Sequence, residues 1–215
     1  MPHLLLKERF EAANAALPLI AILRGLTPDS AGQTGQCLYA AGFRLIEVPL
    51  NSPEPFVSIA TLRRSLPADA LVGAGTVLGA TQMQQLKDCG GELAVMPHCD
   101  PALIRQSKQL GMLCIPGVAT PSEAFTALAA GADALKLFPA ELMTPSVLKA
   151  IRVVLPKGTL LIPVGGITPD SLRAYHAAGA RGFGLGSALF TPGISLEQLA
   201  GRAKAFVEAW AALPA

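Results

Sequence analysis

One pattern recurs along the whole chain and constrains its fold: a short apolar run, a helix start, an alanine-rich helix and a glycine. Threonine is a good helix N-cap, and proline suits the first helical position because its missing N–H is not needed there. Such starts occur at Thr27-Pro28, Thr120-Pro121, Thr144-Pro145 and Thr168-Pro169, and Ser52-Pro53 and Asp100-Pro101 fit the same scheme. Thr120 and Glu123 also have the spacing of a capping box. The predicted helices are followed by glycines suited to a left-handed C′ position: Gly42, Gly90, Gly111, Gly131 and Gly179.

The apolar runs between these marks predict eight strands, near residues 18–24, 44–49, 71–76, 92–96, 112–116, 133–138, 160–164 and 182–186. Short apolar strands that alternate with helices are typical of parallel sheets buried on both faces. We therefore expect an α/β fold, a (βα)8 TIM barrel with a short N-terminal helix, formed by residues 1–215 as a single domain. A doubly wound open sheet is the structural alternative. A hydrophobic content of 51% against 15% charged residues suits one large core.

Charge and cysteine content exclude several functions. The formal net charge is +2 and the basic residues are scattered, so we expect neither a nucleic acid nor a membrane as partner. The four cysteines show no C-x-x-C spacing, which gives no indication of a zinc site. They are Cys37, Cys89, Cys99 and Cys114. Reduced thiols of this kind predict a cytoplasmic location.

Two segments resemble functional signals, and each has a simpler structural explanation. The apolar stretch 12–23 resembles a signal peptide, but Glu8 and Glu11 precede it and Pro18 interrupts it, so a short helix followed by a first strand explains it better. His98-Cys99-Asp100 resembles a group of metal ligands, but Asp100 is better explained as a helix start. We predict no metal site and no cofactor.

Lys136 and Glu47 each interrupt an apolar strand. Lys136 lies in Asp133-Ala-Leu-Lys-Leu-Phe-Pro139 and Glu47 in Leu45-Ile-Glu-Val-Pro-Leu50. Burial of an unpaired charge is unfavourable, and desolvation lowers the pKa of a lysine. A neutral lysine amine can attack a carbonyl carbon and form a Schiff base. The pattern therefore indicates a catalytic pair, with a structural buried ion pair as the alternative.

The predicted barrel brings further polar groups to these two. Alternate strand residues point inward, and active sites lie at the carboxyl ends of the strands. Inward positions on two strands are then Leu45, Glu47 and Pro49, and Ala134, Lys136 and Phe138. Leu135 and Leu137 point outward. Arg24 ends the first strand and Thr76 ends the third, so both are expected at the mouth of the same pocket.

Glycine-rich segments follow the last two strands, in Val164-Gly165-Gly166 and Gly184-Leu-Gly186-Ser187. Barrels of this kind often bind phosphate with these two loops, because glycine lets backbone N–H groups approach the anion. A Gly-Gly pair alone also serves ordinary turns. Its occurrence after both strands favours a phosphate site.

Six segments in this order resemble the 2-keto-3-deoxy-6-phosphoaldonate (KDPG/KHG) aldolase family, and the resemblance covers nearly the whole chain. The segments are Ile22-Leu-Arg-Gly25, Glu47-Val-Pro-Leu-Asn-Ser-Pro53, Gly73-Ala-Gly-Thr-Val77, Ala134-Leu-Lys-Leu-Phe-Pro139, Val164-Gly-Gly166 and Gly184-Leu-Gly-Ser187. The resemblance implies a class I aldolase that reversibly cleaves a phosphorylated keto-deoxy sugar acid to pyruvate and D-glyceraldehyde 3-phosphate, as in Entner-Doudoroff-type pathways.

The resemblance also implies a role for each site residue. Lys136 would form the Schiff base, and Glu47 would be the acid–base group. The substrate-binding residues would be Arg24 and Thr76 at the C1 carboxylate, Pro97 and Phe138 along the pocket wall, and Gly165, Gly166, Gly186 and Ser187 at the 6-phosphate. No metal takes part. The family commonly forms trimers, which implies a homotrimer.

Two features indicate which epimer is the substrate. The segment after Glu47 reads Pro-Leu-Asn-Ser-Pro, where the phosphogluconate enzymes tend to carry a Leu-Arg-Thr type segment. Val164 stands where those enzymes tend to carry threonine. Both features favour 2-dehydro-3-deoxy-6-phosphogalactonate and a role in galactonate degradation. Valine lacks a hydroxyl for the C4 hydroxyl of the substrate, so a phosphogluconate or dual-specificity enzyme is the alternative.

Two remoter alternatives use the same fold. One is a sugar-phosphate isomerase or epimerase in which Lys136 is only electrostatic, since barrels host many chemistries. The other is a non-catalytic protein that binds a sugar phosphate. Covalent capture of a keto acid by Lys136 would distinguish the aldolase from both.

Overall fold

The computed structural model describes residues 2–214 of the chain, and their side chains from Leu5 onward. The helices are α1 (Pro2–Ala16), α2 (Pro28–Ala40), α3 (Pro55–Ser65), α4 (Ala80–Asp88), α5 (Pro101–Gln109), α6 (Pro121–Ala129), α7 (Pro145–Val154), α8 (Leu172–Ala178) and α9 (Leu196–Ala211). The strands are β1 (Leu19–Ile22), β2 (Leu45–Pro49), β3 (Leu71–Gly75), β4 (Leu93–Val95), β5 (Leu113–Ile115), β6 (Gly117–Val118), β7 (Leu135–Leu137), β8 (Leu161–Pro163) and β9 (Phe183–Leu185). In the part of the chain described, no helix is long and apolar enough to cross a membrane.

The strands are parallel and form two sheets, so the prediction of one closed (βα)8 TIM barrel is wrong. Six strands form a curled half-barrel in the order β5-β4-β3-β2-β1-β9, and three form a small sheet in the order β6-β7-β8. The predicted alternation of strands and helices is present, and a helix lies at the N-terminus as expected.

Proline explains why the hydrogen-bonded ladder is interrupted. Pro116 separates β5 from β6, and Pro163 ends β8. Neither residue has an N–H to donate to a neighbouring strand. Between β8 and β9 a single bridge, Val164 to Gly184, replaces a ladder. The periodicity of apolar residues gave no sign of these breaks, because both prolines lie within apolar runs.

The helix starts follow the sequence with two exceptions. At Thr168-Pro169 the chain forms a 3-10 turn over Pro169–Ser171, and α8 begins only at Leu172. The Thr120 hydroxyl accepts a hydrogen bond from the N–H of Glu123 at 3.2 Å, and Glu123 Oε2 accepts one from the N–H of Ala119 at 2.9 Å. Helix α3 begins at Pro55 rather than at Pro53. Ser52 does not cap it. All five glycines predicted to follow helices have a positive φ: Gly42, Gly90, Gly111, Gly131 and Gly179.

Side chains alternate between an interior and a helix-facing layer, as predicted from the strand pattern. Ile46, Val48, Leu135 and Leu137 pack against the helices. Leu45 and Ala134 instead belong to the interior cluster, whose members are contributed by strands of both sheets. Lys136 and Glu47, at alternate positions from these two, therefore lie on the inward face.

Helix α1 packs against the amino ends of the strands and closes the interior there. Its Leu6, Phe10 and Ala13 join the interior cluster and are buried. Arg9 on the same helix donates to Glu92 at 2.5 Å and to the carbonyl of Ala70 at 3.1 Å. With the amino end filled by apolar side chains, the polar residues of the interior lie toward the carboxyl ends of the strands.

Candidate active site

Glu47 on β2 and Lys136 on β7 are the two charged residues buried in the interior. Glu47 is 2% exposed and Lys136 is 7% exposed. Lys136 Nζ lies 4.3 Å from the centroid of the Phe138 ring. Among the described residues, Glu47 Oε2 has no hydrogen-bond partner, and neither residue takes part in a salt bridge. Within the described residues, the two therefore do not form a closed salt bridge.

Burial shifts the pKa of each group toward its neutral form. Desolvation raises the pKa of Glu47 from 4.5 to about 7, although the positive charges of Lys136 and Arg24 oppose the shift. Desolvation lowers the pKa of Lys136, and the charge of Arg24 lowers it further while Glu47 opposes both. A carboxyl group with a pKa near neutrality can both accept and donate a proton, and a lysine with a lowered pKa presents more of its nucleophilic form.

Gly75 makes room for the Glu47 carboxylate. A Cβ on Gly75 would lie 1.6 Å from Glu47 Oε2, so no other residue fits at the end of β3 without displacing the carboxyl group. The next residue, Thr76, is half-buried and has a φ of 57°. A β-branched residue in this left-handed region is uncommon and strained, which is typical of functional sites.

A cavity of about 670 Å³ opens beside the buried pair. Seven of the predicted site residues line it: Arg24, Phe138, Val164, Gly165, Gly166, Gly186 and Ser187. Glu47, Thr76, Pro97 and Lys136 do not. Lys136 adjoins the cavity through its contact with Phe138, which forms part of the wall.

The structure does not bring Pro97 and Thr76 to the wall of this cavity. Pro97 is half-buried and packs instead against Gly117, where a Cβ would lie 2.5 Å from the Pro97 carbonyl group. Gly117 thus allows the loop after β4 to approach β6 closely. The prediction that Pro97 and Thr76 bind the substrate stays a prediction.

The glycine loops form part of the cavity wall. Gly165 and Gly166 have φ values of 117° and 60°, which favour glycine. Glu141 packs against this pair, since a Cβ on Gly165 would lie 2.3 Å from Glu141 Oε2. In the described part of the chain, Arg24 is the one cationic residue on the cavity wall and Glu141 the one carboxylate.

Sequence reasoning missed several wall residues, namely Asn51, Glu141, Thr168 and Thr191. Asn51 stands in a segment that carried the family resemblance, but nothing in the segment indicated that it touches Arg24. Thr168 was assigned only as a helix start. Glu141 and Thr191 lie in loops and gave no signal.

A metal site has no support in the arrangement of side chains. In residues 2–214, no group of three or more His, Cys, Asp or Glu side chains could hold a metal ion. Asp100 accepts hydrogen bonds from the N–H groups of Ala102 and Leu103, at 2.8 and 3.2 Å, and so caps α5 as predicted.

Comparison with known proteins shows to which family the chain belongs. The family model for KDPG and KHG aldolase matches residues 11–200. The chain belongs to the KDPG and KHG aldolase family. It is accordingly a class I aldolase, a carbon–carbon lyase.

Three similar proteins illustrate the range of the KDPG and KHG aldolases. A probable 2-dehydro-3-deoxy-6-phosphogalactonate aldolase of Rhizobium meliloti (strain 1021) is 48% identical over 196 residues, which are 91% of this chain and 92% of that protein. The structure of a native KDPGal is 46% identical with a TM-score of 0.89, and the match covers 91% of this chain and 95% of that one. A KDPG aldolase from Legionella pneumophila, with pyruvate captured as a covalent carbinolamine intermediate, is 26% identical with a TM-score of 0.76. That match covers 100% of this chain and 98% of the other.

Proposed function

We propose that this aldolase reversibly cleaves 2-dehydro-3-deoxy-6-phosphogalactonate to pyruvate and D-glyceraldehyde 3-phosphate, through a Schiff base on Lys136. The observation that carries the proposal is the buried amine of Lys136, which has a lowered pKa, no salt bridge within residues 2–214, and a carboxyl group of shifted pKa in the same interior. The substrate is inferred from the relative named for it, at 48% identity, against 26% for the KDPG aldolase.

Lys136 supplies the nucleophile and then the electron sink. Its neutral amine attacks the C2 keto carbon of the substrate, and loss of water gives an imine. Protonation of the imine lets the electrons of the C3–C4 bond move toward nitrogen when that bond breaks. The carbinolamine captured in the Legionella pneumophila enzyme is the adduct that precedes such an imine.

Glu47 handles the protons of this sequence. Its pKa of about 7 leaves comparable amounts of acid and base at neutral pH. As a base it takes the proton of the C4 hydroxyl while C3–C4 breaks, which releases the aldehyde. As an acid it assists the loss of water during imine formation. The enamine left on Lys136 then takes a proton at C3, and hydrolysis of the resulting imine releases pyruvate.

Two ends of the site hold the two anionic groups of the substrate. Arg24, together with Thr76, binds the C1 carboxylate. Gly165, Gly166, Gly186 and Ser187 bind the 6-phosphate through backbone N–H groups and a hydroxyl. The supporting feature is the positive φ of the Gly165-Gly166 pair, which turns backbone groups toward a ligand at a position where a side chain would collide with Glu141.

Val164 is the residue that we connect with epimer selection. It is 8% exposed, lines the cavity and directly precedes the Gly165-Gly166 pair. An apolar side chain here offers no hydrogen bond to the C4 hydroxyl, so the galactonate epimer is accepted without a polar group left unpaired. Because valine also forms no hydrogen bond that would reject the other configuration, we expect some activity toward the gluconate epimer.

The proposed assembly rests on the family resemblance, and the proposed location rests on the four cysteines without a C-x-x-C spacing. We propose a homotrimer in the cytoplasm, with a role in galactonate degradation. Phosphorylated keto-deoxy sugar acids and pyruvate are the expected small-molecule partners.

The test is covalent capture of pyruvate. The protein is incubated with pyruvate, reduced with borohydride and digested, and the modified residue is located by mass spectrometry. We expect a pyruvate-derived adduct on Lys136 and cleavage of the phosphogalactonate substrate at a rate above that of its gluconate epimer.

Lys149→Ala is the matched control, because Lys149 is an exposed lysine on α7. It should trap pyruvate like the unchanged protein, whereas Lys136→Ala should show no adduct and no cleavage. An adduct on another lysine, or cleavage by Lys136→Ala, would refute the assignment.

A further inference from the structure

Two hydrogen bonds join the loop after β1 to the loop after β2 at the mouth of the site. Arg24 Nη1 donates to Asn51 Oδ1 at 2.5 Å, and the N–H of Gly25 donates to Ser52 Oγ at 2.9 Å. Neighbouring residues of one loop thus contact neighbouring residues of the other. The first bond fixes a side chain, and the second fixes the backbone that carries it.

The loop that carries Asn51 is itself well anchored. Ser52 is 7% exposed, and its N–H donates to the carbonyl of Pro49 at 2.9 Å. The N–H of Leu50 donates to the carbonyl of Gly75 at 2.8 Å. Asn51 therefore lies on a hydrogen-bonded turn that directly follows β2.

Arg24, in contrast, is exposed and gains its orientation from Asn51. Among the described residues, Asn51 is the one hydrogen-bond partner of its guanidinium group. A long arginine side chain without such a contact samples many rotamers and loses entropy when it binds. Both residues line the cavity, so the contact directs the guanidinium group to the substrate side.

The hydrogen-bond partner of Arg24 is the amide of Asn51 rather than a carboxylate, and this difference matters for the binding of an anionic substrate. An amide oxygen accepts one N–H and leaves the positive charge of Arg24 uncompensated. An aspartate in the same place would form a charge-assisted pair with the guanidinium group and compete with the substrate carboxylate. Arg24 is the one cation on the described cavity wall, so no second residue there would replace it.

We propose that Asn51 is a positioning residue that orients the Arg24 guanidinium group toward the cavity while leaving its charge free for the anionic end of the substrate. The inference rests on the proposed function, in which Arg24 binds the C1 carboxylate. It adds a reason why a neutral hydrogen-bond acceptor stands at position 51.

The experiment uses pyruvate alone, because pyruvate has the carboxylate and keto group of the substrate but no phosphate. Exchange of its methyl protons in heavy water, followed by proton NMR, reports enamine formation and gives a half-saturating concentration and a maximal rate.

We expect Asn51→Asp to raise the half-saturating concentration about tenfold or more, since it introduces an ion pair that competes with substrate. Asn51→Ala, which loses only orientation, should raise it about threefold. The maximal rate should change by less than about twofold in both, because binding energy common to ground and transition states affects KM alone.

Asn14→Asp provides the matched control, since it makes the same chemical change on α1, away from the cavity. It should leave the half-saturating concentration and the maximal rate of exchange unchanged.

Equal effects of Asn51→Asp and Asn51→Ala would overturn the charge argument. An unchanged half-saturating concentration in both variants would overturn the positioning role. If the unchanged protein neither exchanges these protons nor traps pyruvate, the proposed function itself fails. Thermal unfolding of each variant separates a folding defect from a binding defect.

Discussion

Burial in the same interior shifts the pKa of Glu47 and the pKa of Lys136 so that the uncharged form of each group is favoured, and the proposed mechanism uses both shifts. Desolvation is the main cause for both groups, while Arg24 adds a positive charge that favours ionised Glu47 and disfavours ionised Lys136. Arg24 thus keeps more of the carboxyl group in its ionised, basic form and more of the amine in its neutral, nucleophilic form. In the proposed mechanism, the exposed guanidinium group of Arg24 therefore acts on Glu47 and Lys136 as well as on the substrate carboxylate.

We expect the side chain at residue 164 to decide how strictly the galactonate and gluconate epimers are distinguished. Valine and threonine differ there by a methyl group in place of a hydroxyl group. Val164→Thr adds a hydroxyl at a buried position on the cavity wall and changes the shape little. Threonine can hydrogen-bond the C4 hydroxyl in one configuration only, and a hydrogen bond left unmade to a buried polar group costs about 1–3 kcal/mol. We expect the ratio of kcat/KM for the gluconate epimer over the galactonate epimer to rise about tenfold.

The control for this prediction is Val164→Ala, which changes the shape without adding a hydroxyl. It should lower kcat/KM for both epimers by similar factors and leave their ratio within about twofold. If alanine shifts the ratio as much as threonine does, cavity shape rather than hydrogen bonding selects the epimer. The two pure epimers are compared by the rate of pyruvate release.

Some of the proposed site residues could be predicted from the sequence and others could not, for a physical reason. Lys136 and Glu47 stand out because charged residues inside apolar strands are unfavourable unless they have a function or a partner. Gly165 and Gly166 were readable because a glycine pair after a strand permits unusual backbone angles. Asn51 and Glu141 were not, because their roles depend on how two loops meet, and no local pattern encodes that.

At the scale of elements, most of the helix starts followed from local chemistry and the sheet did not. Thr120 and Asp100 cap their helices through contacts within a few residues, so their sequence neighbours suffice to predict them. The sheet depends on pairing between distant strands. Pro116 and Pro163 remove donors at two points of that pairing, which leaves a six-stranded and a three-stranded sheet where one closed barrel was predicted.

Helix α1 should contribute to stability far more than to catalysis. Phe10 is 2% exposed and packs in the interior cluster near the amino ends of the strands. Phe10→Ala would leave a cavity there and should lower the free energy of unfolding by about 3–5 kcal/mol. Because the catalytic pair lies toward the carboxyl ends, kcat of the folded variant should stay within about twofold of the original value.

Leu5→Ala is the control on the same helix, since Leu5 is 63% exposed. It should change the free energy of unfolding by less than about 0.5 kcal/mol. Urea denaturation followed by circular dichroism measures both variants. A loss of kcat in Phe10→Ala at temperatures where the protein is folded would contradict the separation between the closed end and the catalytic end.

At the scale of the whole molecule, the buried carboxyl group makes stability depend on pH in a direction opposite to that of an ordinary paired carboxylate. The pKa of Glu47 is raised to about 7 in the folded protein from 4.5. Between these two values the folded state binds more protons than the unfolded state, so the free energy of unfolding falls as pH rises. Its contribution is fully present below pH 4.5 and is lost as pH rises through about 7. The loss is on the order of 3 kcal/mol.

Replacing this carboxyl group should remove that dependence. Glu47→Gln cannot ionise, so its free energy of unfolding should fall less than that of the original protein between pH 4.5 and pH 8, by an amount on the order of 3 kcal/mol. Lys136 has a lowered pKa and therefore gives a slope of the opposite sign, which grows in Glu47→Gln because the opposing charge of Glu47 is lost. The difference between the two urea-denaturation series thus reports Glu47 together with its coupling to Lys136, and both effects have the same sign. Glu197→Gln, at an exposed position on α9, should reproduce the original slope.

The same substitution connects stability with function. If Glu47 is kept for catalysis, Glu47→Gln should be more stable than the original protein at pH 8 and yet should cleave substrate at least about a hundredfold more slowly, because it lacks the acid–base group. A protein that instead loses stability at pH 8 would show that the ionised carboxylate holds the interior together. The catalytic pair would then be primarily structural, and the shifted pKa values would no longer support the proposed mechanism.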